Sequence, residues 1–221
     1  KLEVRQDHHT NDTPLNEFLE GVKYVLRHRI FLILILLSWI SMFFGTSYVQ
    51  IMPLFADMLN SGERGFGILI SATGVGSIIG NLFISRYQGS QKLGIIMITS
   101  AALAPFSLIG FSLVALIMTS TAGAFLMACC FVVTASVLSS VFLVSSMTVL
   151  QVKVPDAFRG RVMGIHSITF SMISLGGLAA GLLAAKFTAP IAVIIGALIV
   201  IFSVALTVLK FTEIINLGLN K

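Results

Sequence analysis

Polar residues along this chain arrive in bunches, and the stretches between the bunches are apolar over about the 20 residues that a helix needs to cross a bilayer. From Ile30 to Leu209 the only charges are Asp57, Glu63 and Arg64, then Arg86 and Lys92, then Lys153, Asp156, Arg159 and Arg161, then Lys186. The pattern predicts spans at about Ile30–Met52, Gly65–Ile84, Leu93–Leu116, Ala124–Val149, Val162–Ala185 and Ile191–Leu209. Pro53 ends the first of these, and Pro190 opens the last, where a fixed φ suits a helix start. The uncharged run from Leu93 to Val152 is long enough for two helices, and the small polar cluster Thr119 to Gly123, "TSTAG", marks the turn between them.

Ahead of the spans the period changes. Leu15, Phe18, Leu19, Val22, Val25 and Leu26 recur at three- and four-residue spacing, which is one face of a helix. Thr13 suits its N-cap, with Pro14 at the first helical position and Lys23, Arg27 and Arg29 toward its end. The expected organisation is a linker over residues 1–29, whose amphipathic helix (about 13–29) lies along the cytoplasmic membrane surface, a six-helix bundle over 30–210, and a cytoplasmic tail over 211–221. The opening "KLEVRQDHHTNDT" resembles the middle of a linker and not a signal peptide, so the chain is expected to be a fragment.

Composition narrows the class. Hydrophobic residues make up 57% of the 221 and mean hydropathy is +1.01, against roughly 45–50% apolar content in soluble domains. That excludes an ordinary water-soluble fold and leaves an all-α membrane protein. The net charge of +5 does not point to nucleic acid, because the bases sit at span ends and not on one wet face. With the N-terminus inside, twelve of the fourteen bases fall on the cytoplasmic side and only Arg64 and Lys186 outside. This positive-inside asymmetry places both termini in the cytoplasm. Cys129 and Cys130 are adjacent on a helix, point about 100° apart, and are expected to be small packing residues.

Enzymatic readings lack their residues. There is no HExxH, no Gly-x-Ser-x-Gly, no P-loop and no aspartate within a predicted span, so no catalytic residue is assigned. No filter-like run or ring of acids suggests a channel. A six-helix membrane scaffold or channel-like protein stays open on these residues alone.

The loop "VPDAFRGRVMGIHSITF" joins two long apolar runs. It resembles the loop between the tenth and eleventh helices of major facilitator transporters, in the branch of the enterobactin exporter and related drug-efflux permeases. "EFLEGVKYVLRHRIF" is similar to the lead into the seventh helix there. "GNLFISRYQGSQK" is similar to the C-half copy of the cytoplasmic signature, roughly Gly-x-x-x-Asp-Arg, through Gly80, Arg86 and Lys92. Ser85 stands where that signature has its acid, and His166 and Ser171 stand where the family pattern has Tyr and Arg, a departure that bears on cargo.

The resemblance implies the C-terminal half of a twelve-helix fold built as 3+3 inverted repeats in a bacterial cytoplasmic membrane. It implies efflux of a small amphiphilic or aromatic molecule such as a drug or siderophore, with membrane lipids and an N-terminal six-helix half as partners, no nucleic acid, no cofactor and no metal.

Trp39, near the middle of the first span, joins Gln50, Asn81 and His166 as candidates to line an apolar cavity with few polar contacts, or to serve as packing residues. The spans hold no acid or base at depth, so a proton carrier, if the chain uses one, is His166 or belongs to the other half. In the loop, Pro155 ends one helix and Asp156 is expected to cap the next, while Arg159 and Arg161 either anchor topology to lipid or pair across the two halves. Ala72, Gly76 and Gly80 on the second span, and Gly177, Gly181 and Ala185 on the fifth, form small faces for static packing or sliding.

Overall fold

A computed structural model describes residues 14–87, 89–90, 92–118 and 122–211. The expected N-cap at Thr13, most of the turn at Thr119–Gly123 and the tail beyond Phe211 lie outside these residues. Helix α1 spans Pro14–Arg27, and α2, Arg29–Ile40, begins the first long helical run. That run continues through a π-helical turn, Ser41–Gly45, and a 3-10 turn, Ser47–Ile51, into α3, Met52–Met58. Then follow α4 (Gly62–Ser85), α5 (Leu93–Ile117), α6 (Ala122–Lys153), α7 (Asp156–Lys186) and α8 (Ala189–Lys210). No strand occurs among the described residues. Six runs, the first being Arg29–Met58, are long and apolar enough to cross a membrane.

Two boundaries move for physical reasons. Pro53 does not end the first run: it sits in the first turn of α3, where its missing N–H is not needed, because the 3-10 turn before it has already interrupted the α-helical ladder. Helix α7 begins at Asp156, not near Val162, with Pro155 extended at the N-cap (φ −55°, ψ 147°). Asp156 therefore does not cap the helix as expected. It lies inside the first turn, and its carboxylate pairs with Arg159 at 2.5 Å. The turn from α3 into α4 places Asn60 and Gly62 in the left-handed region (φ 50° and 55°), which suits an Asn and a Gly.

In lipid there is little hydrophobic force between helices, so close approach depends on small residues. Helix α6 lies between α4 and α5, and α8 between α5 and α7. Gly76 and Gly80 make the α4–α6 crossing: a β-carbon on either would fall 2.5 Å from a carbonyl oxygen, that of Val133 or of Val137. Ala72 is half-buried on the same helix. On α7 the buried small residues are Gly176, Gly177 and Ala180, whereas Gly181 has nothing within 4 Å of a built β-carbon and Ala185 is exposed. The small face of α7 that contacts the bundle is thus shifted from the expected Gly177, Gly181 and Ala185 stripe, of which only Gly177 belongs to it.

The apolar core has two parts. One, at the α1 end, gathers Phe31, Leu34, Met97, Leu150 and Val162. The other gathers Phe55, Leu69, Phe111, Val132 and Ala192 toward the opposite end. Where they meet, the first run loses α geometry.

Candidate functional site

The irregular stretch Ser41–Ile51 has local and distant causes. Gly45 is a poor helix former, and the hydroxyls of Thr46 and Ser47 donate to the carbonyls of Ser41 and Phe44, each at 3.5 Å. The distant cause is room on the neighbouring helices. A β-carbon on Gly176 would overlap the Phe43 carbonyl oxygen, and one on Gly196 would lie 2.8 Å from that of Phe44. Glycines of α7 and α8 thus admit the bulging backbone, and isolated π turns of this kind are frequent at functional sites.

Beside this stretch lies a cavity of about 200 Å³. Thr46 and Tyr48 reach it from the irregular stretch, Thr73 and Ser77 from α4, and Ser136, Ser139 and Ser140 from α6. Met42, Leu143, Phe170 and Ile173 supply its apolar walls, and no charged side chain lines it. Tyr48 Oη lies 3.3 Å from Ser136 Oγ, tying the first run to α6. Nearer the α1 end the same pair of elements meets again, where Ser38 Oγ and Ser146 Oγ are 3.1 Å apart. Ser38 donates its proton to the Leu34 carbonyl at 2.8 Å, which leaves Ser146 as donor to Ser38.

Not all the hydroxyls are spent. Thr73 donates to the Ile70 carbonyl at 2.7 Å, but Ser77, Ser139 and Ser140, all half-buried, have no side-chain hydrogen bond among the described residues. Three unspent donor–acceptor groups thus stand beside apolar walls.

None of the four residues proposed from sequence lines this cavity. Trp39 is half-buried against the α1-end core, with its indole Nε1 buried and unpartnered. His166 is buried on α7, and its Nε2 likewise has no partner. Gln50 is exposed and lies over Gly177, and Asn81 is exposed on α4. The signal that could have found the cavity is the helical spacing of hydroxyls, three and four apart at Ser136, Ser139 and Ser140 and four apart at Thr73 and Ser77. It is easily passed over, because a Ser or Thr in an apolar helix usually satisfies itself on a carbonyl one turn back. Ser71, Thr134, Ser145 and Ser203 all do so here.

The charged loop forms a separate cluster at the α1 end. Arg161 Nη1 bonds Glu20 Oε2 of α1 at 2.5 Å and lies 5.7 Å over the Phe158 ring. Tyr24 stacks on Phe158 with centroids 4.3 Å apart and planes 11° apart. Gly21 is buried against the Arg161 β-carbon, so α1 seats directly on the first turns of α7. Both loop arginines therefore find acids within this chain. Arg86 and Lys92 are exposed at the α4–α5 turn. Among the described residues no three His, Cys, Asp or Glu side chains gather as they would around a metal ion.

Six helices of membrane length, four of which wall an uncharged, hydroxyl-bearing cavity at mid-span, define an integral membrane protein. The family model described as transmembrane secretion effector, of the major facilitator type, matches residues 1–215, and the chain belongs to that family. Comparison with curated proteins returns no match, and comparison with solved structures returns none either.

Proposed function

We propose that this chain is the C-terminal six-helix half of a secondary transporter that exports a small, uncharged amphiphile by alternating access. The observation that carries the cargo class is the set Ser77, Ser139 and Ser140, hydroxyls without partners in a cavity whose other walls are apolar and which holds no charge. An ionic cargo would need a counter-charge, since a bare ion in such a site costs far more than hydroxyls return. Alternating access is supported by the discontinuous first helix at mid-span and by the glycines that seat it, features on which rocking transporters rely.

The proposed setting is a bacterial cytoplasmic membrane with both ends of the chain inside, on the strength of the twelve-to-two distribution of bases. A cysteine placed at Ala157 should then react with impermeant reagents only from the cytoplasmic face. For the cargo site, Ser77→Ala, Ser139→Ala and Ser140→Ala combined in the complete transporter should cut flux of an amphiphilic dye about tenfold or more, at about 0.5–1.5 kcal/mol per lost hydrogen bond. Thermal stability should stay as it was, because these hydroxyls hold nothing else. Undiminished flux would sink the cargo assignment, and labelling of the Ala157 cysteine from outside would sink the orientation.

A further inference from the structure

A second cavity, of about 440 Å³, opens at the α1 end and takes no part in the transport reading. Its walls are Glu20, Lys23, Tyr24, Arg27 and His28, with Phe158 from the first turn of α7. Lys23 and Arg27 stand one helical turn apart and so share a flank. Both are exposed, and neither pairs with an acid among the described residues. The acid in the same wall, Glu20, is already engaged by Arg161, so the cavity keeps a positive field.

Its apolar side is stiff. Tyr24 is stacked on Phe158, and the His28 ring lies 4.2 Å from Tyr24 with Nδ1 donating to the Tyr24 carbonyl at 2.8 Å. Next to the bases, α1 presents Leu19 and Leu26, which are 54% and 59% exposed. Leu19 stands one turn before Lys23, and Leu26 three residues after it. One short helix thus offers two unpaired cations and bare aliphatic side chains on adjoining flanks, at the end of the bundle where α2 and α7 begin.

A ligand that satisfies both flanks must join an anion to hydrocarbon. We propose that this cavity is a binding site for an anionic phospholipid, with the headgroup phosphate between Lys23 and Arg27 against the Tyr24–Phe158 wall and the acyl chains leaving along Leu19 and Leu26. A free phosphate would use only the bases and leave the leucines in water. A zwitterionic lipid brings its own cation into a field that is already positive. A bound lipid would also bridge α1 and α7, the helix whose Phe170 and Ile173 wall the mid-span cavity.

The test is lipid retention by the purified chain in detergent, read by native mass spectrometry with phosphatidylglycerol and phosphatidylcholine of identical acyl chains. Phosphatidylglycerol should be retained preferentially. Lys23→Gln with Arg27→Gln should weaken it about 30-fold, which is about 2 kcal/mol at about 1.4 kcal/mol per tenfold and matches about 1 kcal/mol per base at an anionic surface. Arg64→Gln with Lys186→Gln, at the opposite end, should leave retention in place. Leu19→Ser with Leu26→Ser should weaken the lipid as well. Because all four α1 side chains are exposed, the variants should fold, and an unchanged unfolding temperature checks that they do. Equal retention of the two lipids, full retention by the Lys23/Arg27 variant, or displacement of phosphatidylglycerol by excess glycerol phosphate would each overturn the proposal.

Discussion

Helix α7 takes part in two polar regions that solve opposite problems. At its start, Asp156, Arg159 and Arg161 form ion pairs with one another and with Glu20, and the groups are partly or fully open to water. About two turns farther on and beyond, the polar groups it meets are neutral hydroxyls, and its own glycines receive the backbone of the first run. A charge costs about 2.5–3.5 kcal/mol at the centre of a bilayer, whereas a hydroxyl can satisfy itself on its own helix. Charge is therefore confined to the ends, and the polar site at depth is built from neutral Ser, Thr and Tyr hydroxyls. The two regions also differ in what holds them. The charged end adds exposed ion pairs, worth little each, to the side-chain contacts of Gly21 and Tyr24 with α7, and the middle rests on helix against backbone, where a β-carbon would meet a carbonyl.

The largest effect should come from filling that fit. Gly176→Val would drive a β-carbon into the Phe43 carbonyl and should cost about 3 kcal/mol or more, seen as a large drop in unfolding temperature in detergent. Gly181→Ala, five residues on with nothing within 4 Å, should instead hold or raise stability by up to about 1 kcal/mol. If both substitutions cost alike, backbone fit is not what separates the regions.

Smaller is the tie across the cavity. Tyr48→Phe removes the bond to Ser136 and should cost about 0.5–1.5 kcal/mol by the same measurement. Smaller again is the charged end, where a double-mutant cycle between Glu20→Gln and Arg161→Gln should give a coupling below about 1 kcal/mol that fades with added salt. A coupling several times that size would mean the α1 seat is as rigid as the middle. The smallest effect expected is on proton response. In the complete transporter His166→Gln should leave cargo preference and the response of flux to a pH gradient as they were, since His166 is buried away from the hydroxyl cavity. Loss of that response with cargo binding intact would make His166 the proton carrier.

Sequence reasoning located the charged region and missed the neutral one. Arg159 and Arg161 stand out because charge is rare in this chain, and within it Arg159 pairs with Asp156 and Arg161 with Glu20 of α1. Trp39, Gln50, Asn81 and His166 drew attention because large polar side chains are rare in apolar spans, yet rarity says nothing of which way a helix turns. Ser77, Ser139 and Ser140 were passed over because they look like the self-satisfied Ser145 and Ser203.

Six helices of membrane length and the all-helical class followed from the sequence alone, because hydropathy is a local property and an apolar segment of about 20 residues in lipid pairs its own N–H and C=O groups as a helix. Where the first run would abandon α geometry was not local. It depends on Gly176 and Gly196, more than 130 residues from Phe43 and Phe44, arriving where the carbonyls need room. The same holds for the cavity. Its hydroxyls come from three separate runs, and only the packing of α4 on α6 through Gly76 and Gly80, with the first run alongside, decides which of them face one another.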